Sequence, residues 1–227
     1  VNANVATFIA FLTDAFQNLS YSQGSYSGSQ HEESIRKLLI QYGFKEFNKG
    51  MITGYKNVRA ALPAGHFVCQ PAGSNGNPDF LVRFSDGTYQ DLEAKSTKGD
   101  KPMYNGVPPK AGCIYILTSE KYNQTAIFHA DDVMASRKLW EDYVKELRTI
   151  DSKYNALQSD WTGYSRQMFA DKSTKHFDAM VRADLFQKTL DRLTVTVGPA
   201  TTGNATVIPL GSNITLAAPT LSEIKNA

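Results

Sequence analysis

Cysteine is scarce in this chain: two in 227 residues, Cys69 and Cys113. They are far apart, which removes the close pairs of zinc ribbons and dithiol redox sites. Both fall in apolar runs, HFVCQ and CIYIL, and thiols so placed read as core material. Histidine is nearly as rare. The four present (His31, His66, His129, His176) show neither HxxxH nor HExxH spacing, so a zinc hydrolase gains no support. Long apolar runs are missing as well. No stretch approaches the roughly 20 apolar residues that a membrane-spanning helix needs. VATFIAFL near the start has no basic segment before it and no small-residue cleavage site after it, so it does not read as a signal peptide. The Asn-x-Ser/Thr triplets at Asn18, Asn123, Asn204 and Asn213 then read as chance matches, and a reducing, cytoplasmic setting is expected. Excess charge of either sign is also absent. Lys and Arg number 24 against 22 Asp and Glu, for a net charge of +2. A polybasic, histone-like binder is excluded, and any contact with nucleic acid has to come from local clusters.

What is there describes an ordinary soluble globular chain, 41% hydrophobic and 20% charged. Its length fits one large domain, or one domain with an appendage. Apolar residues at helical spacing (Val5, Phe8, Ile9, Leu12, Phe16, Leu19) predict a helix over 4–19. A polar loop follows over 20–30, then a second amphipathic helix over 31–44 with Ile35, Leu38, Leu39 and Tyr42 on its apolar face. Residues 45–65 are mixed. Strands are predicted over 66–70, 79–84, 88–95, 113–119 and 125–130. The segment 96–112 is too rich in Gly and Pro to read as anything but a loop. Leu139, Tyr143, Leu147, Ile150, Tyr154 and Leu157 keep near-heptad spacing, and a further helix is predicted over about 176–193. These two helices read as core, with a dimer seam as the alternative. Helices, then about five strands, then helices predict an α/β or α+β domain: a mixed central sheet flanked by helices. The chain is taken as one domain, with a core over about 31–130, a helical region over 131–193 and a β-rich tail over 194–227.

The informative stretch is GNPDFLVRFSDGTYQDLEAKS, residues 76–96. It reads as a hairpin, and loop length decides which side chains share a face. A two-residue loop puts Asp79 and Glu93 on opposite faces. A three-residue loop, Ser85-Asp86-Gly87, sets Asp79 opposite Glu93 and Leu81 opposite Asp91. Phe80, Val82 and Leu92 then form one apolar face, so the hydrophobic pattern selects the longer loop. Asp79, Glu93 and Lys95 fall on the other face, with the two carboxylates about 5 Å apart at Cβ.

Carboxylates that close repel unless a proton or a cation intervenes. Mg²⁺ suits the arrangement, because it takes one or two carboxylates and fills its remaining positions with water and substrate phosphate. Such an ion polarises a phosphodiester and acidifies attacking water. The Lys95 ammonium is placed to hold that water or to stabilise the charge of the transition state.

Asn77-Pro78-Asp79 followed by Glu93-Ala94-Lys95 on the next strand resembles the PD-(D/E)xK nuclease motif, whose superfamily includes most type II restriction endonucleases. Glu32-Glu33-Ser34-Ile35…Leu38-Leu39…Gly43-Phe44 is similar to the upstream helix that often carries a further glutamate of that site. The resemblance covers roughly residues 31–130. It implies a restriction-endonuclease-like fold, with Asp79 and Glu93 binding Mg²⁺ and Lys95 assisting the water. It also implies Glu32, three residues before Ile35, as a further catalytic acid, with Glu33 as the alternative. A homodimer and a partner DNA methyltransferase of the same specificity are implied too.

A DNA partner fits the local charge. Six basic residues (Arg36, Lys37, Lys45, Lys49, Lys56, Arg59) face one acid, Glu46, between residues 36 and 59. Lys98 and Lys101, just past the Glu-Ala-Lys strand, are the expected phosphate contacts. Gln70, Asn75, Asn77, Tyr104 and Asn105 are the candidates for base readout. The expectation is a Mg²⁺-dependent, sequence-specific double-stranded DNA endonuclease. The alternatives are a repair, junction-resolving or transposon-end nuclease of the same fold, and a non-catalytic DNA-binding module whose hairpin charges are merely paired.

Overall fold

A computed structural model describes residues 3–18, 28–74, 76–105, 109–134, 136–157, 168–170 and 175–195. All of its elements fall within Val1–Val197. In chain order these are α1 (Ala3–Asn18), α2 (Gly28–Tyr42), β1 (Lys45–Glu46), α3 (Tyr55–Ala61), β2 (His66–Cys69), β3 (Phe80–Arg83), β4 (Tyr89–Thr97), β5 (Met103–Asn105), β6 (Cys113–Ser119), β7 (Gln124–His129), α4 (Arg137–Leu157), β8 (Met168–Ala170) and α5 (Ala179–Val195). The mixed sheet flanked by helices is therefore as expected. The central sheet has six strands in the order β1-β2-β3-β4-β6-β7, and β5 and β8 form a separate pair.

Alternation of side chains builds two layers from one sheet. Strand β6, CIYILTS, is buried at every position, as a strand covered on both faces must be. Ile114 and Ile116 join Phe67, Phe80, Val82, Leu92 and Ile127 on one face. Helices α1 and α2 cover that face with Phe8, Ile9, Leu12, Ile35 and Leu39, and α5 adds Phe186, Leu190 and Leu193. Cys113, Tyr115 and Leu117 point the other way, to Tyr104, Phe128, Phe177 and Leu185. A smaller cluster of Val58, Leu62, Val68 and Leu81 seats α3 on the far side of the hairpin.

The hairpin has the three-residue loop. Phe80 pairs with Leu92, Leu81 with Asp91, Val82 with Gln90 and Arg83 with Tyr89. The Phe84 N–H donates to the Thr88 carbonyl at 2.8 Å, closing the loop. Gly87 sits at φ +86°, a left-handed position that costs glycine no Cβ clash. Strand β4 then runs parallel to β6, with Glu93 beside Tyr115 and Lys95 beside Leu117.

Several expectations are corrected. The stretch 96–112 is not wholly loop: β4 continues to Thr97, and β5 pairs antiparallel with β8. The apolar contacts of Tyr104 overrode the surrounding Gly and Pro. Residues 45–65 contain β1 and α3. Helix α4 is not core, since none of its side chains is buried. Its apolar spacing marks a seam but does not say what covers it. Cys113 is buried as expected, whereas Cys69 is only partly so and its thiol donates to Glu46 Oε1 at 3.4 Å. Asn75 and residues 196–227, which hold nearly all of the expected β-rich tail, lie outside the described residues. Among the described residues no helix is long and apolar enough to cross a membrane.

One buried polar contact ties α2 to the sheet. His31 is fully buried, and its Nε2 lies 2.9 Å from the Ile116 carbonyl. Burial holds its imidazole below the usual range, against the raising effect of that hydrogen bond. The ring also packs on Phe16. Replacing it removes a buried hydrogen bond and leaves a cavity, so His31→Ala is expected to cost about 2–3 kcal/mol in equilibrium urea unfolding.

Candidate active site

Two adjacent chain ends build the site. Asp79 immediately precedes β3, and its carbonyl accepts from the Gln70 N–H at 2.6 Å, which extends the β2–β3 pairing by one step. Across the hairpin, Asp79 and Glu93 are laced by their own backbone. The Asp79 N–H donates to Glu93 Oε2 at 3.2 Å, and the Ala94 N–H donates to Asp79 Oδ2 at 2.8 Å. Lys95, two residues on and therefore on the same face, places its ammonium 2.5 Å from Glu93 Oε1. Asp79, Glu93 and Lys95 thus converge as the hairpin register requires.

Glu32, the fifth residue of α2, comes to the same place. It feels the charges of Asp79 and Lys95, and the Gln70 side chain is near enough to pull its carboxyl down. Glu33 faces elsewhere, 3.3 Å from Arg36, which also holds Glu46 at 2.6 Å. Of the two adjacent acids, Glu32 is the one at the cluster. Three carboxylates therefore surround one ammonium.

The electrostatics follow from burial. Glu93 is 4% exposed. Burial pushes its carboxyl above the ordinary range; Lys95 works against that, and Asp79 adds to it. The Asp79 carboxyl is also raised by burial, opposed by the Ala94 hydrogen bond and by Lys95. Glu32 is raised by burial and then by Asp79, with Lys95 and Gln70 pulling it down. Desolvation that one lysine does not offset leaves a site that favours a proton or a cation. Among the described residues no group of three His, Cys, Asp or Glu side chains is arranged to hold a metal ion. A divalent ion held through Asp79 and Glu93 would take the rest of its oxygen ligands from water or phosphate. The raised carboxylate pair fits such an ion by charge and by donor type.

The expected DNA contacts divide. Lys98 is exposed and Lys101 half-buried, both following the end of β4. Gln70 is at φ +47°, and its carbonyl accepts from the Lys49 ammonium; its half-buried side chain lies on the Glu32 side of the cluster. Asn77 donates to the Tyr115 hydroxyl at 3.4 Å. Tyr104 corrects the sequence reading: it is 4% exposed and lies edge-on against Tyr115, so its ring fills the core. Asn105 pairs with Met168 through β5. Lys49 was not among the sequence candidates for the site. Nothing in spacing ties it to Gln70; only the left-handed turn after β2 brings the two together.

The raised carboxyls make a signed prediction. A carboxyl whose pKa is higher folded than unfolded contributes stability that is present below about pH 4 and is lost as pH rises through the folded value. His31 and His129, both lowered by burial, act in the opposite sense, but they remain when Asp79 is replaced. In EDTA, thermal melts from pH 4 to pH 8 are therefore expected to show wild type losing ground to Asp79→Asn as pH rises. A gap that does not change with pH would contradict the raised cluster.

Comparison with protein-family models, with curated proteins and with solved structures returned no match to this chain, so any reading of the cluster rests on its own residues.

Proposed function

We propose that this chain is a Mg²⁺-dependent, sequence-specific endonuclease of double-stranded DNA, similar to type II restriction enzymes. The observation that carries the reading is the convergence of Asp79, Glu93, Lys95 and Glu32 at one end of a buried hairpin. Asp79 and Glu93 would hold the ion, which supplies charge for a phosphodiester oxygen and acidifies water. The work of the chain itself is positional. Backbone N–H groups of Asp79 and Ala94 fix the two carboxylates, so little reorganisation remains when substrate arrives. Lys95 offers an ammonium beside Glu93 for the attacking water or for the charge that grows on the phosphate. Glu32, close enough to feel the charges of Asp79 and Lys95, would accept a proton from that water.

Lys98 and Lys101 are proposed as phosphate contacts, each adding roughly −0.9 to the salt slope of log K. Base recognition is not assigned to Tyr104, whose ring fills the core; Gln70, Asn77 and Asn105 remain the proposed candidates. The existing Glu93–Lys95 ion pair also suits a second reading, a non-catalytic DNA-binding module in which these charges satisfy one another.

Incubation of the purified chain with phage and plasmid DNA separates the readings. Discrete fragments with Mg²⁺ and none with EDTA are expected, and mapping the ends gives the site. A junction-resolving enzyme would instead cut branched DNA and leave linear duplex intact. Asp79→Ala and Lys95→Ala are each expected to lower cleavage by roughly 10²–10³-fold, and Glu32→Gln by roughly 10²-fold. Full activity in either of the first two would remove the site assignment. Mg²⁺ is also expected to raise the melting temperature of wild type and not that of Asp79→Asn. DNA binding with no cleavage of any duplex or junction would favour the binding module.

A further inference from the structure

Helix α4 carries Trp140, Tyr143, Leu147, Ile150, Tyr154 and Leu157 at alternating spacings of three and four. These are the a and d positions of a helical seam running through about three heptads. The helix has 21 residues, about 32 Å of length. No side chain on it is buried. Ile150 is 59% exposed, Tyr154 50% and Leu157 82%. The other long C-terminal helix behaves differently: α5 sinks Leu185 and Phe186 into the two cores. An apolar strip as long as α4 and this open marks an interaction surface.

The spacing and the charges name the occupant. Lay a second copy of α4 antiparallel, with Leu147 opposite Ile150 of the second copy. Tyr143 then meets Tyr154 and Trp140 meets Leu157, and each contact recurs by the two-fold axis. The seam is self-complementary, as an interface between identical copies has to be. The flanking charges choose the direction. Antiparallel pairing sets Glu146 against Lys153 of the second copy, and Lys153 against its Glu146. Parallel pairing sets Glu146 against Asp151, two like charges. We propose that α4 is a homotypic docking surface through which two copies of this chain pair antiparallel. The proposal is independent of the hairpin chemistry, and cleavage is not its readout.

Sedimentation equilibrium of the full chain across a micromolar concentration series tests it. Wild type is expected to pass from monomer to dimer within the series. Ile150→Glu is expected to weaken the dimer roughly 100-fold, with the circular dichroism melt of the chain retained. Glu146→Lys should weaken it as well, and Glu146→Lys with Lys153→Glu should restore it. Three results would overturn the proposal. One is a chain that stays monomeric throughout, including the case in which residues 196–227 cover the seam. Another is a dimer indifferent to Ile150→Glu. The third is tighter association in Glu146→Lys, which would mean parallel helices.

Discussion

The register of one hairpin governs everything at the candidate site. Gly87, at φ +86°, closes a three-residue loop, and that loop places Leu81 opposite Asp91 and Phe80 opposite Leu92. Side chains alternate along a strand, so a slip of one residue would carry Glu93 and Lys95 into the α1–α2 core and turn Leu92 onto the face of Asp79. The slip is unfavourable because Phe80, Val82 and Leu92 are all essentially fully buried, each at about 2 kcal/mol of transfer free energy. The apolar face thus holds the polar one in place. A catalytic arrangement on this hairpin would draw its precision from hydrophobic packing on the opposite face of the same strands.

The polar face is held at a cost. Burial lifts Asp79, Glu93 and Glu32 together, and one ammonium cannot discharge three acids. Backbone N–H groups take up part of the imbalance, and they do so from rigid strand positions. A surface salt-bridge ladder would relax into water and keep ordinary carboxylate values. Burial is what separates this cluster from the solvated pairs elsewhere, such as Lys138 with Asp142, whose side chains are 85% and 55% exposed.

Much of this was legible in the sequence, for physical reasons that differ by element. CIYILTS reads as a buried strand and is one along its whole length. The hairpin register follows from apolar alternation plus a glycine at the third loop position. Glu32 comes from the likeness of its helix to the nuclease pattern, in which the acid stands three residues before the apolar Ile35. Other features depend on contacts that no local pattern carries. Strand β5 exists because it pairs with β8, far along the chain, and Tyr104 is buried because Tyr115 receives it. Gln70 reads as a loop amide, and no spacing ties its carbonyl to the Lys49 ammonium that it accepts from. Helix α4 shows the limit in the other direction, since its heptads announce an apolar face and leave its partner open.

Strand β4 also shows why spacing alone does not tell one acid from another. Asp91, Glu93 and Lys95 alternate along the same face, so by position Asp91 has as strong a claim as Glu93. Their partners separate them. The Tyr55 hydroxyl donates to Asp91 Oδ1 and the Lys110 ammonium to Oδ2, both at 2.7 Å, and that ammonium also lies 4.3 Å over the Tyr55 ring. Both Asp91 oxygens are thus engaged by side chains that are themselves packed, and the acid is built into a wall. Glu93 shares its pocket with another raised carboxylate and with a lysine on its own strand. Asp91 is therefore tied into the fold by its own partners, whereas Asp79, Glu93 and Glu32 share the one ammonium of Lys95.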